Sequence, residues 1–418
     1  RVSFGAQMTA HPASSCVSAT CLILVLASCS TPPASPGISI STDFEGGCLA
    51  NVEKMSEARF RCAIPGQADH EGRNRQASWY YFRVDGAKGR EVTVVLTDLK
   101  GEYNYQPAPA CVREDTPPVA SGDGKTWRHL DRIRVENNEA TIRFIPDSDT
   151  FWVAHLEPYP ASRLDRFLDE IRGGPGLTIG EIGKSVEGRS LPVLTISESL
   201  RRDPIRPPVV WLMCRQHAWE TGTSFAAEGA IRFLLSDAGE SLRRKAVFKI
   251  LPMMDPDGCA HGGVRFNRNG YDVNRNWDTA DPDRAESRRL MPEICAAKAA
   301  IRQDPGCLLT LHNQEAGEWL SGSQKHPEIA DRFFVALRDR STFDPSEKGP
   351  RPPTETLAPG RYSVYEYFDR QQGMPAFLLE QGITRGKKLA RLPTSQDRRE
   401  FGRQLIQVWA DIALGKGP

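Results

Sequence analysis

Charge of one sign is what this sequence has least to spare: 54 Lys and Arg stand against 53 Asp and Glu, a formal net charge of +1. A nucleic-acid or polyanion binder needs an excess of Lys and Arg gathered on one face to neutralise phosphates, so that class is excluded. Long apolar runs are also lacking. The richest, "VSATCLILVLASC" (residues 17–29), holds about eleven apolar residues, too few to span a bilayer, and reads as an export signal. No serine is framed as G-x-S-x-G, which removes the nucleophile elbow of serine hydrolases. No cysteines stand at zinc-finger spacing, so no Cys-based metal site is read, and no internal repeat or low-complexity tract stands out.

The end of the apolar run, Leu26-Ala27-Ser28-Cys29, resembles the lipobox of bacterial lipoproteins. The resemblance implies cleavage before Cys29, acylation of that cysteine and residence on the periplasmic face of a bacterial membrane, the lipid being the chain's membrane contact. Met8 is the plausible start, with residues 1–7 upstream of it. Export would expose the seven cysteines beyond Cys29 to oxidising conditions, and Cys48 with Cys62 and Cys295 with Cys307 are candidate pairs.

Residues 1–37 are thus a signal segment and linker, and two textures follow. Residues 38–158 carry short alternating or apolar segments, among them "SWYYFRV", "EVTVVL", "ATIRFI" and "FWVAHL", separated by Gly, Pro, Asn and Asp turns. This predicts a small antiparallel β-sandwich that serves as scaffold or substrate rim. Residues 159–418 alternate apolar runs ("RSLPVLTI", "PVVWLM", "AVFKILPMM", "CLLTLH", "PAFLLE") with longer stretches of helical spacing. That rhythm predicts an α/β domain: a mixed sheet flanked by helices on both faces.

Ligand crevices in open α/β sheets lie beyond the carboxyl ends of the strands. Four strands deliver ionisable groups there: His217 and Glu220 follow "VVWLM", the stretch from Asp255 to Arg275 follows "AVFKILPMM", His312 ends "CLLTL" and Glu380 ends "PAFLL". A His and a Glu three residues apart on a tight turn can face one ion. A third ligand from a neighbouring strand then completes a catalytic zinc site with its fourth position left for water.

The stretch "DPDGCAHGGVRFNRNGYDVNRNWD" (residues 255–278) resembles the zinc carboxypeptidase family, and more closely its cytosolic-carboxypeptidase-like branch. The order and spacing hold across "CRQHAWE", "DPDG", "VRFNRNGYDVNRNW", "LTLH" and "FLLEQG", and the N-terminal half is similar to the β-domain of that branch. The resemblance implies one zinc ion held by His217, Glu220 and His312, with Glu380 as general base. Arg265 would polarise the scissile carbonyl, and Asn274 and Arg275 would hold the terminal carboxylate, Arg275 through its planar fork. It implies a metallocarboxypeptidase acting on peptides with a free C-terminal carboxylate. Relatives on the same zinc frame trim peptidoglycan stem peptides or deacylate amino acids, and a peptide-binding protein without chemistry is the reading from another class.

The chain departs from the branch in four places. Ala218-Trp219 replaces the usual Pro-Gly of the ligand turn, Asp255 replaces Asn, and Thr310 stands where an acidic partner of the third ligand is common. No tyrosine falls at the place where one closes over substrate. Tyr362 is the candidate for that role, and Arg361 beside it is the candidate to face an acidic substrate side chain.

Overall fold

Alternation builds the first layer. In the strand Tyr81–Asp85, Phe82 and Val84 are fully buried while Arg83 turns outward, the period-2 pattern of a half-buried strand. The structure, a computed structural model, describes residues 37–103, 105–108, 111–198 and 207–415. The export segment and Cys29 lie outside the described residues.

Two five-stranded sheets face one another across a core that includes Phe60, Phe82, Val94, Ile142 and Phe151. The pairing departs from the antiparallel expectation at one place: Arg59–Ala63 runs parallel to Val92–Thr97. Between these two strands the chain crosses to the opposite sheet to form Tyr81–Asp85 and returns. It re-enters in its original direction, which is how a long crossover produces a parallel pair.

The second layer is a seven-stranded mixed sheet. Its four inner parallel strands are Val247–Leu251, Val209–Cys214, Cys307–Gln314 and Ala376–Gly382, in that spatial order. The strand Val209–Cys214 is buried along its whole length because both its faces are covered. Val210 and Leu212 pack towards the helices Thr221–Leu235 and Ser395–Ala413, whereas Trp211 and Met213 pack towards Pro292–Gln303 and Val364–Gln372. The chain forms Val209–Cys214, then its neighbour on one side, then Cys307–Gln314 on the other. The sheet therefore reverses its winding at this strand, where a crevice opens.

The first and last long helices of this layer touch backbone to backbone. A Cβ on Gly229 would lie 1.9 Å from the Arg399 carbonyl oxygen, and one on Gly402 would lie 1.9 Å from that of Ala226. No other residue fits at either position, so the helix that starts just after Glu220 is clamped in depth.

All seven described cysteines are free, and the candidate pairs are not formed. Cys295 and Cys307 pack on opposite faces of the large sheet, and Cys48 and Cys62 belong to different apolar clusters.

The turn "DPDG" shows what Asp255 contributes. Its Oδ1 accepts from the Gly258 N–H at 2.8 Å and caps the helix Pro256–His261, while Oδ2 is buried without a partner. Burial, reinforced by Glu293, pushes this carboxyl up to about 8. An unfolded Asp titrates near 4, so between about pH 4 and 8 the folded chain binds the extra proton and stability falls as pH rises. Asp255→Asn is expected to remove that slope: urea midpoints of variant and parent should be close at pH 5 and diverge towards pH 8, by at most about 1.4 kcal/mol per unit. A difference independent of pH would refute this.

Candidate active site

Arg215 sets the ligand turn. It is 2% exposed with φ of 57° and donates from Nε to the Ala218 carbonyl at 2.7 Å and from Nη1 to that of Tyr159 at 3.2 Å. The turn it closes carries His217 inward and leaves Glu220 as the residue that opens the helix Thr221–Leu235, where the helix dipole favours a carboxylate. His312 arrives from the neighbouring parallel strand.

The three side chains converge as the sequence predicts. His217, Glu220 and His312 are each at most 3% exposed, and one ligand atom from each lies within 4.8 Å of the other two. Nδ1 of His217 is 2.7 Å from Glu220 Oε1, and Nδ1 of His312 is 2.9 Å from Glu220 Oε2. Burial opposes ionisation of Glu220, yet the two imidazoles hold its carboxyl down to about 2.

The remote ring nitrogens are also occupied. His217 Nε2 meets Asp272 Oδ1 at 3.1 Å, and His312 Nε2 lies 3.2 Å from Gln216 Oε1 and 3.1 Å from Thr310 Oγ1. Gln216 is fixed in turn by donating to the Val273 carbonyl at 2.9 Å. Donation from each Nε2–H leaves both Nδ1 lone pairs aimed at one point with a carboxylate beside them. This buried donor set fits zinc. Gln216 and Thr310 thus supply the orientation of His312 that an acidic residue provides elsewhere.

Glu380 pairs in register with His312 on the adjacent strand, so both side chains emerge on one face. Its Oε2 is buried with no hydrogen-bond partner. Burial holds this carboxyl well above the usual carboxylate range, Glu220 adds to the effect, and Arg265 opposes it.

Beside the triad opens a cavity of about 280 Å³ lined by Arg265, Arg275, Arg361, Asp272, Tyr103 and Tyr105, among others. Arg265 Nε donates to Asp272 Oδ2 at 2.6 Å, so one carboxylate anchors both the arginine and His217. Arg275 donates from Nη1 to the Asn274 carbonyl at 2.8 Å and from Nη2 to the Tyr103 hydroxyl at 2.7 Å. Asn274 is 2% exposed; its Oδ1 accepts from the Val364 N–H at 3.1 Å and its Nδ2 lies 3.3 Å from His312 Nε2. It is thus engaged within the protein, whereas Arg275 faces the cavity.

Arg361 stands in the cavity wall, but Tyr362 does not. Its ring packs against the apolar cluster that includes Trp277 and Tyr367, and the Trp277 N–H donates to the Tyr362 carbonyl. Trp219 is buried among Trp79, Tyr81, Val264 and Ile383 at the contact with the N-terminal sandwich, so its indole does not line the cavity.

Sequence reasoning missed four contributors. Asp272 was visible in "GYDVNR" by its place beside Asn274 and Arg275, and Gln216 by its place beside His217. The other two come from the N-terminal domain and carry no motif. The Oε1 of Gln67 accepts the N–H groups of Val264, Arg265 and Phe266 at 2.8–2.9 Å, pinning the backbone under Arg265, and Tyr103 reaches Arg275.

Residues 164–300 match the family described as zinc carboxypeptidase, and residues 40–156 match the cytosolic carboxypeptidase N-terminal domain. An uncharacterised protein of Zymomonas mobilis is 28% identical over 313 residues, covering 72% of this chain and 76% of its own length. Cytosolic carboxypeptidase 2 of Danio rerio is 28% identical over 351 residues, covering 76% of this chain and 47% of its own. The chain therefore spans about half the length of that relative. A metallo-carboxypeptidase structure from Burkholderia cenocepacia superposes with a TM-score of 0.78 at 24% identity, covering 89% of this chain and 97% of its own, and shares the fold.

If Asp272 fixes the ring of His217, Asp272→Asn should weaken zinc binding by about 10- to 100-fold in competition with a chromophoric chelator. His312→Ala should abolish stoichiometric zinc altogether. Unchanged affinity in Asp272→Asn would remove Asp272 from the site.

Proposed function

We propose, from a chain that carries a zinc carboxypeptidase domain behind a cytosolic carboxypeptidase N-terminal domain, that it hydrolyses the C-terminal peptide bond of peptides. The observation that carries this reading is the arginine-lined cavity opening beside a buried His-Glu-His triad, with Asp272 shared between them. Arg265, Arg275 and Arg361 in that lining can meet an anionic substrate end, and Asp69, Glu71 and Asp272 line the same cavity.

His217, Glu220 and His312 would hold zinc, which would supply Lewis acidity there. The chain's own residues do the rest. Glu380, with a buried oxygen free of partners, is the general base that takes a proton from the attacking water and delivers it to the leaving amine. Arg265, held side-on by Asp272, stabilises the negative charge that develops on the scissile carbonyl oxygen. Arg275 pairs with the terminal carboxylate through its planar fork, and its anchorage by the Asn274 carbonyl supports that role. Because the Asn274 amide oxygen is engaged by the Val364 N–H, we assign the carboxylate chiefly to Arg275. Arg361 faces the side chain of the last residue and favours an acidic one. Export and acylation at Cys29 belong to the same proposal and rest on the sequence.

Purified protein incubated with peptides differing only in their last residue should release that residue, and chelator should stop it. Glu380→Gln should lower kcat by about 10²- to 10⁴-fold with zinc content unchanged. Arg361→Ala should depress cleavage of Glu-ending peptides more than of neutral ones, and equal losses would remove Arg361 from specificity. Labelled palmitate should be incorporated by the parent chain in a bacterial host and not by Cys29→Ser.

A further inference from the structure

The short hairpin of Gly101–Tyr103 and Gln106–Ala108 belongs to neither sheet of the sandwich. It is nevertheless fixed to the sandwich at its base. The Arg75 guanidinium donates to the carbonyls of Ile64, Pro65, Asp98 and Lys100 at 2.5–3.0 Å, and the Arg75 carbonyl accepts from the Glu102 N–H at 2.6 Å. A Cβ on Gly101 would lie 2.6 Å from that same carbonyl oxygen, so the hairpin sits against the Arg75 backbone with no space between. From this base Tyr103 extends over the catalytic domain.

Its hydroxyl accepts from Arg275 Nη2 at 2.7 Å, and its ring lies 5.2 Å from the Arg265 guanidinium carbon. Arg275 has no carboxylate within 4.0 Å among the described residues; its side-chain partners are the Asn274 carbonyl and this phenol. Both partners are neutral acceptors. They fix the direction of the fork without cancelling its charge, which a carboxylate in either place would do. Gln67, also from the N-terminal domain, holds the backbone beneath Arg265.

We propose that Tyr103 is a positioning residue that holds Arg275 ready for the substrate's terminal carboxylate, so that the N-terminal domain forms part of the substrate-binding site. This rests on the carboxypeptidase reading and goes beyond it in giving the N-terminal domain a share in recognition. Burial raises the phenol's pKa, and Arg275, Arg265 and Arg361 together bring it below the ordinary tyrosine value, in keeping with a hydroxyl surrounded by cations.

Tyr103→Phe in the full zinc-loaded chain keeps the ring against Arg265 and removes the acceptor. KM for a peptide with a free C-terminus should rise about tenfold, the worth of one hydrogen bond to a charged group, while kcat stays within about twofold. A peptide acid and its C-terminal amide, compared by calorimetry, separate recognition from folding. The parent chain should prefer the acid, and Tyr103→Phe should narrow that preference by the same factor while leaving the amide's affinity unchanged. A purely structural role would weaken both ligands alike or lower kcat. If the parent cleaves no peptide, the carboxypeptidase reading fails and the acid-to-amide ratio still decides the role of Tyr103. An unchanged ratio in the variant overturns the proposal.

Discussion

A carboxylate buried between two imidazoles is the constraint on which the α/β half of this chain is built. Glu220 at 3% exposure would be costly as an isolated charge, and the imidazoles of His217 and His312, donating to it or sharing a cation with it, are what make it tolerable. The fold supplies these neighbours from separate strands. The N-terminal sandwich shields the ligand turn by packing Trp79 and Tyr81 against Trp219, the residue just before Glu220. The two halves are thus coupled at the ligand turn itself.

The parts of this arrangement that the sequence made legible are those whose information is local. An apolar run ending in His312 or Glu380 reads as a strand tip because burial on both faces forces unbroken hydrophobicity, and the tip is where polarity resumes. The spacing of His217 and Glu220 is likewise local, since a single turn sets it. The order of "DPDG", Arg265 and "NRNW" carried the rest through family resemblance.

What stayed hidden depends on contacts across distant segments. Tyr103 meets Arg275 at a separation of 172 residues and Gln67 meets Arg265 at 198, and no periodicity marks either residue in the sequence. The parallel pair in the sandwich was missed because antiparallel and parallel strands share the same alternation, and only the path between them differs. Tyr362 was taken from "PGRYSVYEYF", which also offers Tyr365, but neighbours along an irregular segment face different ways. Trp219 was legible as a bulky departure within the ligand turn, yet its destination was the surface of another domain.

The register of His312 with Glu380 carries a consequence for how this chain can vary. The spacing between the metal-facing ring and the acid opposite is fixed by a ladder of main-chain hydrogen bonds, so it is indifferent to how long the intervening chain becomes. The Pro- and Gly-rich segment 347–361 lies in that intervening chain. It is pinned to the domain at Arg351 and Gly360, and a change of length between those two points would leave that spacing unaltered. One residue inserted within Ala376–Gly382 would instead turn the acid to the opposite side of the sheet, so natural diversity in this lineage should collect in the loops and leave the strands uncounted by a single residue.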